Sequence, residues 1–325
     1  PAISGTFSTQ TIHREGLYDE RTFAFAEFVG FLQDTRGGIR LAYSRFRPRR
    51  VCRTSDFVRG GPPYIGGELM ALSPYIVTKG VVLRETETRD ADKILTLLTA
   101  ERGKLSVIAR GVCRKGCKFA ACAQPLAYSE WTLYKKGDWY YANEGATLEL
   151  FNGLRADLDA MALGFYLAEL TEAVTTEDAP HQGLLSHLLN GLYAVSVLRK
   201  PLPLVKAAFE VKLLCLAGYE PLADACAYCG CPDPQQPYFD VLQGVLRCGT
   251  CGEGRRGLPL CRDSLAALRH IVYGDPKRLY SFTLGPEAQK RLSAAAEAFV
   301  SAQLERGFRT LEFYKSLQPP EELSK

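Results

Sequence analysis

Four cysteines form two Cys-x-x-Cys knuckles, Cys226 with Cys229 and Cys248 with Cys251, with eighteen residues between the pairs. Each knuckle aims two thiolates at one point, and two knuckles at this separation complete the tetrahedral sulfur shell of a zinc ion. Gly230, Gly249 and Gly252 beside them allow the backbone to turn tightly around the metal. A shell of four thiolates leaves no position for water or substrate, so the predicted Zn2+ is structural. The same four residues also admit two disulfides or four unrelated thiols.

A second pattern concerns charge. Between Lys104 and Lys136 the chain carries Lys104, Arg110, Arg114, Lys115, Lys118, Lys135 and Lys136 against Glu130 alone, a local balance of 7 − 1 = +6. Phe119, Tyr128, Trp131, Tyr134, Trp139, Tyr140 and Tyr141 interleave with these cations. A nucleic-acid single strand binds by pairing phosphates with cations and stacking bases on rings. The plainer reading keeps the rings in a core and the lysines in water. Strand alternation along Trp139-Tyr140-Tyr141 requires at least one face to differ from the other.

Other reactive side chains carry less. Cys113, Cys117 and Cys122 lie in the basic segment at a spacing that matches no zinc knuckle, and the alanines around them favour buried or oxidation-prone thiols. That segment is expected to be a mobile nucleic-acid contact. Cys231 and Cys261 border the knuckles as competing ligands but add no second pair, and with Cys52 and Cys215 they read as core or surface thiols. His181, His187 and His270 fall in or beside helical stretches as structural or exposed histidines. No phosphate-binding glycine loop, His-Glu-x-x-His or Gly-x-Ser-x-Gly occurs, nor a His-x-Glu that pairs with a Cys-x-x-Cys as in zinc deaminases, so nothing assembles a catalytic centre.

Short strands must position the cations. Ile76-Val77, Val81–Leu83, Ile94–Leu98, Leu105–Ala109, Trp131–Tyr134 and Trp139–Tyr141 read as strands, with a loop over Glu85–Asp92 and turns at Glu101–Lys104 and Lys135–Asp138. This predicts a small β-barrel, or alternatively an α+β sandwich with no binding face. Beyond Asn152 the apolar period becomes helical, in Leu154–Leu170, Leu184–Leu198, Leu204–Leu216, Leu265–Tyr273, Pro286–Leu304 and Thr310–Leu317. Pro201 and Pro203 open the third of these and Gly218 closes it, just before the knuckles. The zinc module is thus inserted in a helical body.

At 325 residues and 46% hydrophobic content the chain can bury two or three cores. No run approaches the ~20 apolar residues of a membrane helix, and an odd count of eleven cysteines fits a reducing, cytoplasmic compartment. Residues 1–69 differ from the rest, with ten arginines and no lysine. The codons of Gly66-Gly67-Glu68-Leu69 can spell a ribosome-binding sequence ahead of Met70, which makes 1–69 an over-called or disordered leader. The alternative is a basic nucleic-acid-binding arm around Arg45–Arg53. The expected layout is a leader at 1–69, a nucleic-acid-binding barrel at 70–152, a helical domain at 153–220 and 260–325, and the four-cysteine module at 221–259.

In this order the parts resemble the RecO family of bacterial recombination mediators over about residues 75–317. The resemblance is carried by Lys79–Leu83, Asp92–Thr99, Gly103–Gly111, Gln124–Leu126, Phe209–Leu213, Leu216–Gly218, the two knuckles and Arg309–Leu317. The segment Cys113–Cys122 departs from the family, in which it is usually basic and serine-rich. The resemblance implies an α+β protein with an N-terminal OB-fold, a non-enzymatic DNA repair and recombination factor that is cytoplasmic and nucleoid-associated. Such proteins bind single- and double-stranded DNA, anneal complementary strands, contact the acidic tail of single-stranded DNA-binding protein, and work with RecR, sometimes RecF, to load RecA. On this basis Lys104, Arg110, Arg114, Lys115, Lys118, Lys135 and Lys136 are assigned to phosphates, and one or more of Trp131, Tyr134 and Trp139 to base stacking. The rival functions are a zinc-stabilised protein-interaction scaffold without DNA affinity and a metal-dependent nuclease, for which no carboxylate set is present.

Overall fold

Five strands close into a barrel. They are β1 (Tyr75–Glu87), β2 (Lys93–Thr99), β3 (Gly103–Ala109), β4 (Tyr128–Lys136) and β5 (Trp139–Glu149), in the cyclic order β1-β2-β3-β5-β4. The β3–β5 pair is parallel and the others are antiparallel, the arrangement of an OB-fold. The computed structural model describes residues 75–88, 91–177, 179–251 and 257–318. The predicted leader at 1–69, the Met70 start and Gly252 lie outside them.

Alternation builds the barrel. In β3, Gly103, Leu105, Val107 and Ala109 are buried while the residues between them are partly exposed. Val82, Leu95, Leu97, Leu133 and Tyr140 meet them inside. The two apolar fragments expected near the start are one long strand, because a bulge between Val82 and Arg84 bends β1 so that it pairs with both β2 and β4. Glu85–Glu87, expected in a loop, continue that strand. Lys93 Nζ lies 2.8 Å from Glu85 and 3.9 Å from Glu87 and holds the polar end of the ladder.

Between Ala109 and Tyr128 the chain makes successive turns that plug one end of the barrel. Val112, Cys122 and Ala123 enter the core, and the Phe119 ring stands edge-on to Trp131 at 6.5 Å. Three buried side chains anchor the segment, expected as a mobile loop, and Arg114, Lys115 and Lys118 project from its outer side.

Among the described residues seven α-helices follow, α1 (Asn152–Arg155), α2 (Leu158–Val174), α3 (Gln182–Ser196), α4 (Leu202–Leu216), α5 (Arg262–Tyr273), α6 (Pro286–Leu304) and α7 (Arg309–Leu317). Asp157 caps α2 by accepting from the Asp159 and Ala160 amides. The end of α4 is a Schellman turn: Tyr219 N–H donates to Leu214 O, Gly218 N–H donates to Cys215 O, and Gly218 takes a φ of +93°. Burial of α4 includes charge. Lys206 Nζ lies 2.8 Å from Glu210 and 3.0 Å from Glu297 of α6, and Tyr166 of α2 donates to Glu210 at 2.6 Å. Burial opposes the charge on Lys206, yet the two carboxylates hold its pKa above the usual lysine value.

Barrel and helices meet closely at Gly103. With a φ of +62°, its Cα is so near Ala179 that an added Cβ would fall 2.0 Å from that carbonyl oxygen, which leaves no room for any side chain. Between α4 and α5 lies a small sheet of β6 (Pro237–Asp240), β7 (Val245–Cys248) and β8 (Leu258–Pro259), in the order β7-β6-β8. It packs on α6 through Phe239 and Phe299, whose rings are 5.2 Å apart. Among the described residues no helix is long and apolar enough to cross a membrane.

Candidate nucleic-acid interface and metal centre

The cysteine knuckles converge. Cys226 and Cys229 lie in the loop before β6, where Cys226 N–H donates to Cys231 O and Gly230 N–H to Cys226 O. Cys248 ends β7, and Cys251 N–H turns back to Cys248 O at 3.2 Å. Of the glycines expected to ease these turns, Gly230 has a φ of +70°. Gly249 instead sits close to neighbouring side chains, where an added Cβ would meet Gln236 and Tyr238 at 3.1 Å.

The four sulfurs lie within 4.8 Å of one another, with Cys229 to Cys248 at 3.6 Å and Cys248 to Cys251 at 2.9 Å. Zinc–sulfur bonds of about 2.3 Å in a tetrahedron place sulfurs about 3.8 Å apart. The donor set fits such an ion. The hydrogen bond shared with Cys251, then that of the Thr250 hydroxyl, lowers the Cys248 thiol to about 6, while the same shared bond raises Cys251. Burial raises Cys226, but the amides of Cys229, Tyr228 and Cys248 outweigh it and hold that thiol below its usual value. Neither Cys231 nor Cys261 joins this cluster, and no group with Cys113, Cys117 and Cys122 is found among the described residues. Cys122 lies in the barrel core, 3.2 Å from the Thr147 hydroxyl.

The barrel distributes the expected DNA contacts unevenly. Arg110, Arg114, Lys115, Lys118, Lys135 and Lys136 are exposed. Lys104 stands apart. Its amide donates to Thr176 O and its backbone bridges Glu177, just beyond the end of α2, so it lies at the far end of β3, about 20 Å along the strand from Arg110. Trp131 is also corrected: it is 0% exposed, at the centre of the barrel core, and no base can reach it. Trp139 is 45% exposed and sits opposite Lys136 on the neighbouring strand.

Two residues that sequence reasoning did not assign complete a surface groove. The register sets Tyr75 of β1 opposite Tyr134 of β4, and Tyr134 opposite Tyr141 of β5. The Tyr75 and Tyr134 rings are 5.5 Å apart, and the Arg110 guanidinium stands 4.6 Å over Tyr141. With Lys136, Ala142 and Asn143 these residues line a groove of about 390 Å³. Alternation could have flagged Tyr141, which is two residues from exposed Trp139 on one strand face. No local signal links it to Tyr75.

Two family models match this chain: one described as "Recombination protein O N terminal" over residues 70–151, the other as "Recombination protein O C terminal" over residues 155–312. The "DNA repair protein RecO" of Acetivibrio thermocellus is 32% identical over 245 residues, 75% of this chain and 97% of that protein. Those of Symbiobacterium thermophilum and Anaeromyxobacter sp. strain K are each 34% identical, over 74% of this chain and 96% of their own length. On these matches, which cover most of its length, the chain belongs to the RecO family of DNA repair proteins.

Proposed function

We propose that this chain is a recombination mediator that binds single- and double-stranded DNA and anneals complementary strands. With RecR, and in some settings RecF, it helps load RecA onto DNA coated by single-stranded DNA-binding protein, whose acidic tail it contacts. Residues 70–152 form the DNA-binding domain. The helical residues 153–220 and 260–325 carry the zinc module 221–259, in which Cys226, Cys229, Cys248 and Cys251 hold a structural Zn2+. The protein works in the cytoplasm at the nucleoid.

The observation that carries this reading is the cluster of exposed cations on the plug and the adjoining strand ends: Arg110, Arg114, Lys115, Lys118, Lys135 and Lys136. Such a surface neutralises phosphates without reading sequence, which suits a partner that must act on any strand. Annealing then needs no covalent step. Charge neutralisation lets two polyanions approach, and base pairing supplies the driving force.

The test is annealing of two complementary oligonucleotides by the zinc-loaded full chain, without nucleotide or magnesium, across a salt series. Acceleration that fades with salt is expected, and no DNA binding at low salt would favour the protein scaffold. Reversing Arg114→Glu with Lys115→Glu should weaken single-strand binding and flatten the slope of log K against log salt by about 1.4, from two contacts at about 0.7 each. Anisotropy titrations measure this, and an unchanged slope would remove both residues from the interface.

A further inference from the structure

Tyr75, Tyr134 and Tyr141 occupy one rung across three adjacent strands, β1, β4 and β5. Neighbouring strands are about 4.8 Å apart, so the rung presents aromatic surface over roughly 10 Å. A bulge in β5 sets the shape of the groove beside it. Thr132 pairs with Glu144 and Leu133 with Ala142, which leaves Asn143 without a cross-strand partner and among the residues lining the groove. None of the seven lining residues is acidic, and two of them, Arg110 and Lys136, are cations. The nearest carboxylates in sequence are Asp138, in the turn beyond Lys136, and Glu144, beside Asn143. Neither lines the groove.

We infer that this rung is a stacking site for unpaired bases, distinct from the cationic outer side of the plug and selective for single-stranded over double-stranded DNA, a reading that rests on the proposed DNA binding. The chemistry separates the two surfaces. Arg114, Lys115 and Lys118 offer charge alone, which any polyanion satisfies, duplex included. Tyrosine faces offer an apolar, polarisable surface that a base can use only when it is free of its own neighbours, whereas a duplex keeps its bases stacked and presents edges and phosphates. Arg110 links the surfaces, since it covers Tyr141 and opens the chain segment that leads into the plug. One strand held by its bases on the rung and a second held by its phosphates on the plug would place two strands on one barrel.

The experiment compares binding of the zinc-loaded full chain to three labelled ligands of equal length: a thymine single strand, the same backbone with abasic sites throughout, and a duplex. Wild type should bind the thymine strand at least about fivefold tighter than the abasic strand, as one stacked base requires. Tyr134→Ala, at the centre of the rung, should bring the two single strands together and leave duplex affinity unchanged, while Tyr134→Phe keeps the wild-type preference. Equal wild-type affinity for thymine and abasic strands overturns the stacking site and needs no variant. Equal loss of thymine-strand and duplex affinity in Tyr134→Ala also overturns it, as does an undiminished preference in that variant. DNA binding without base preference leaves the mediator reading intact, whereas no binding of wild type to any ligand removes both.

Discussion

Individual side chains of the same type have opposite duties in this barrel. Trp131 and Trp139 lie eight residues apart, yet one is fully buried against Phe119 and the other is exposed beside Lys136. Trp131→Ala should therefore cost about 3–5 kcal/mol of stability through the cavity it leaves. Trp139→Ala should stay within about 0.5 kcal/mol and lower single-strand affinity instead. Denaturant melts and anisotropy on the two variants separate these roles. His187 fulfils its expected structural part: its ring stacks on Phe209 at 4.2 Å, Nε2 meets Phe209 O at 3.1 Å, and burial lowers its pKa from 6.5 to about 4. Above pH 6.5 the imidazole is neutral in folded and unfolded chains alike. As pH falls from about 6.5 towards 4 only the unfolded chain takes up the proton, so stability falls across that window and levels off below it. The loss between pH 7 and pH 5 should be on the order of 2 kcal/mol in urea melts, and His187→Gln should abolish that component.

Among the elements, α4 is the hub of the helical body and its charge is internal. Lys206 joins α4 to α6 through Glu297, which also receives Lys315 of α7 at 2.7 Å, and Glu210 joins α4 to α2 through Tyr166. Removing the cation would leave Glu210 buried without its counter-charge. Lys206→Met should destabilise the protein by about 3–5 kcal/mol, more than an apolar replacement would at an exposed position. A double replacement that also removes the acid, Lys206→Met with Glu210→Leu, should recover much of that loss, and recovery in chemical denaturation is the decisive reading. The strands obey a different logic. Their ends are polar and their middles alternate, so β3 and β4 were legible from sequence. The extent of β1 through Glu87 was not, because its polar end is held by Lys93 from the next strand.

At the largest scale, the described contacts attach the four-cysteine module to helices. Phe239 packs on Phe299, Gln303 donates to Val241 O at 2.9 Å, and Arg269 donates to Ala223 O at 2.7 Å. Chelation should therefore loosen residues 221–259 and leave barrel-borne DNA affinity in place. Limited proteolysis with and without chelator should show new cleavage confined to that segment, while anisotropy with a short single strand stays within about twofold. Loss of DNA binding on chelation would instead make the module part of the interface.

The chain by itself determined what local spacing can determine. Two Cys-x-x-Cys turns bring four thiols together because each pair is joined by one short turn, and the helical repeats from Leu158 onward announce their own period. Gly218 after the apolar run to Leu216 marks the helix end because glycine takes the positive φ of +93° there at no steric cost, and the surplus of cations near the plug is a matter of composition. Which rings and cations share a surface depends instead on pairing between distant strands. Tyr75 reaches Tyr134 and Tyr141 through strand register between segments nearly sixty residues apart, and a shift of one residue would turn those rings inward. Lys104 leaves the cationic cluster, and Trp131 leaves the stacking surface, for the same reason. Closing a barrel assigns every second residue to its interior and each strand end to one rim or the other, and pairing between distant strands sets both choices.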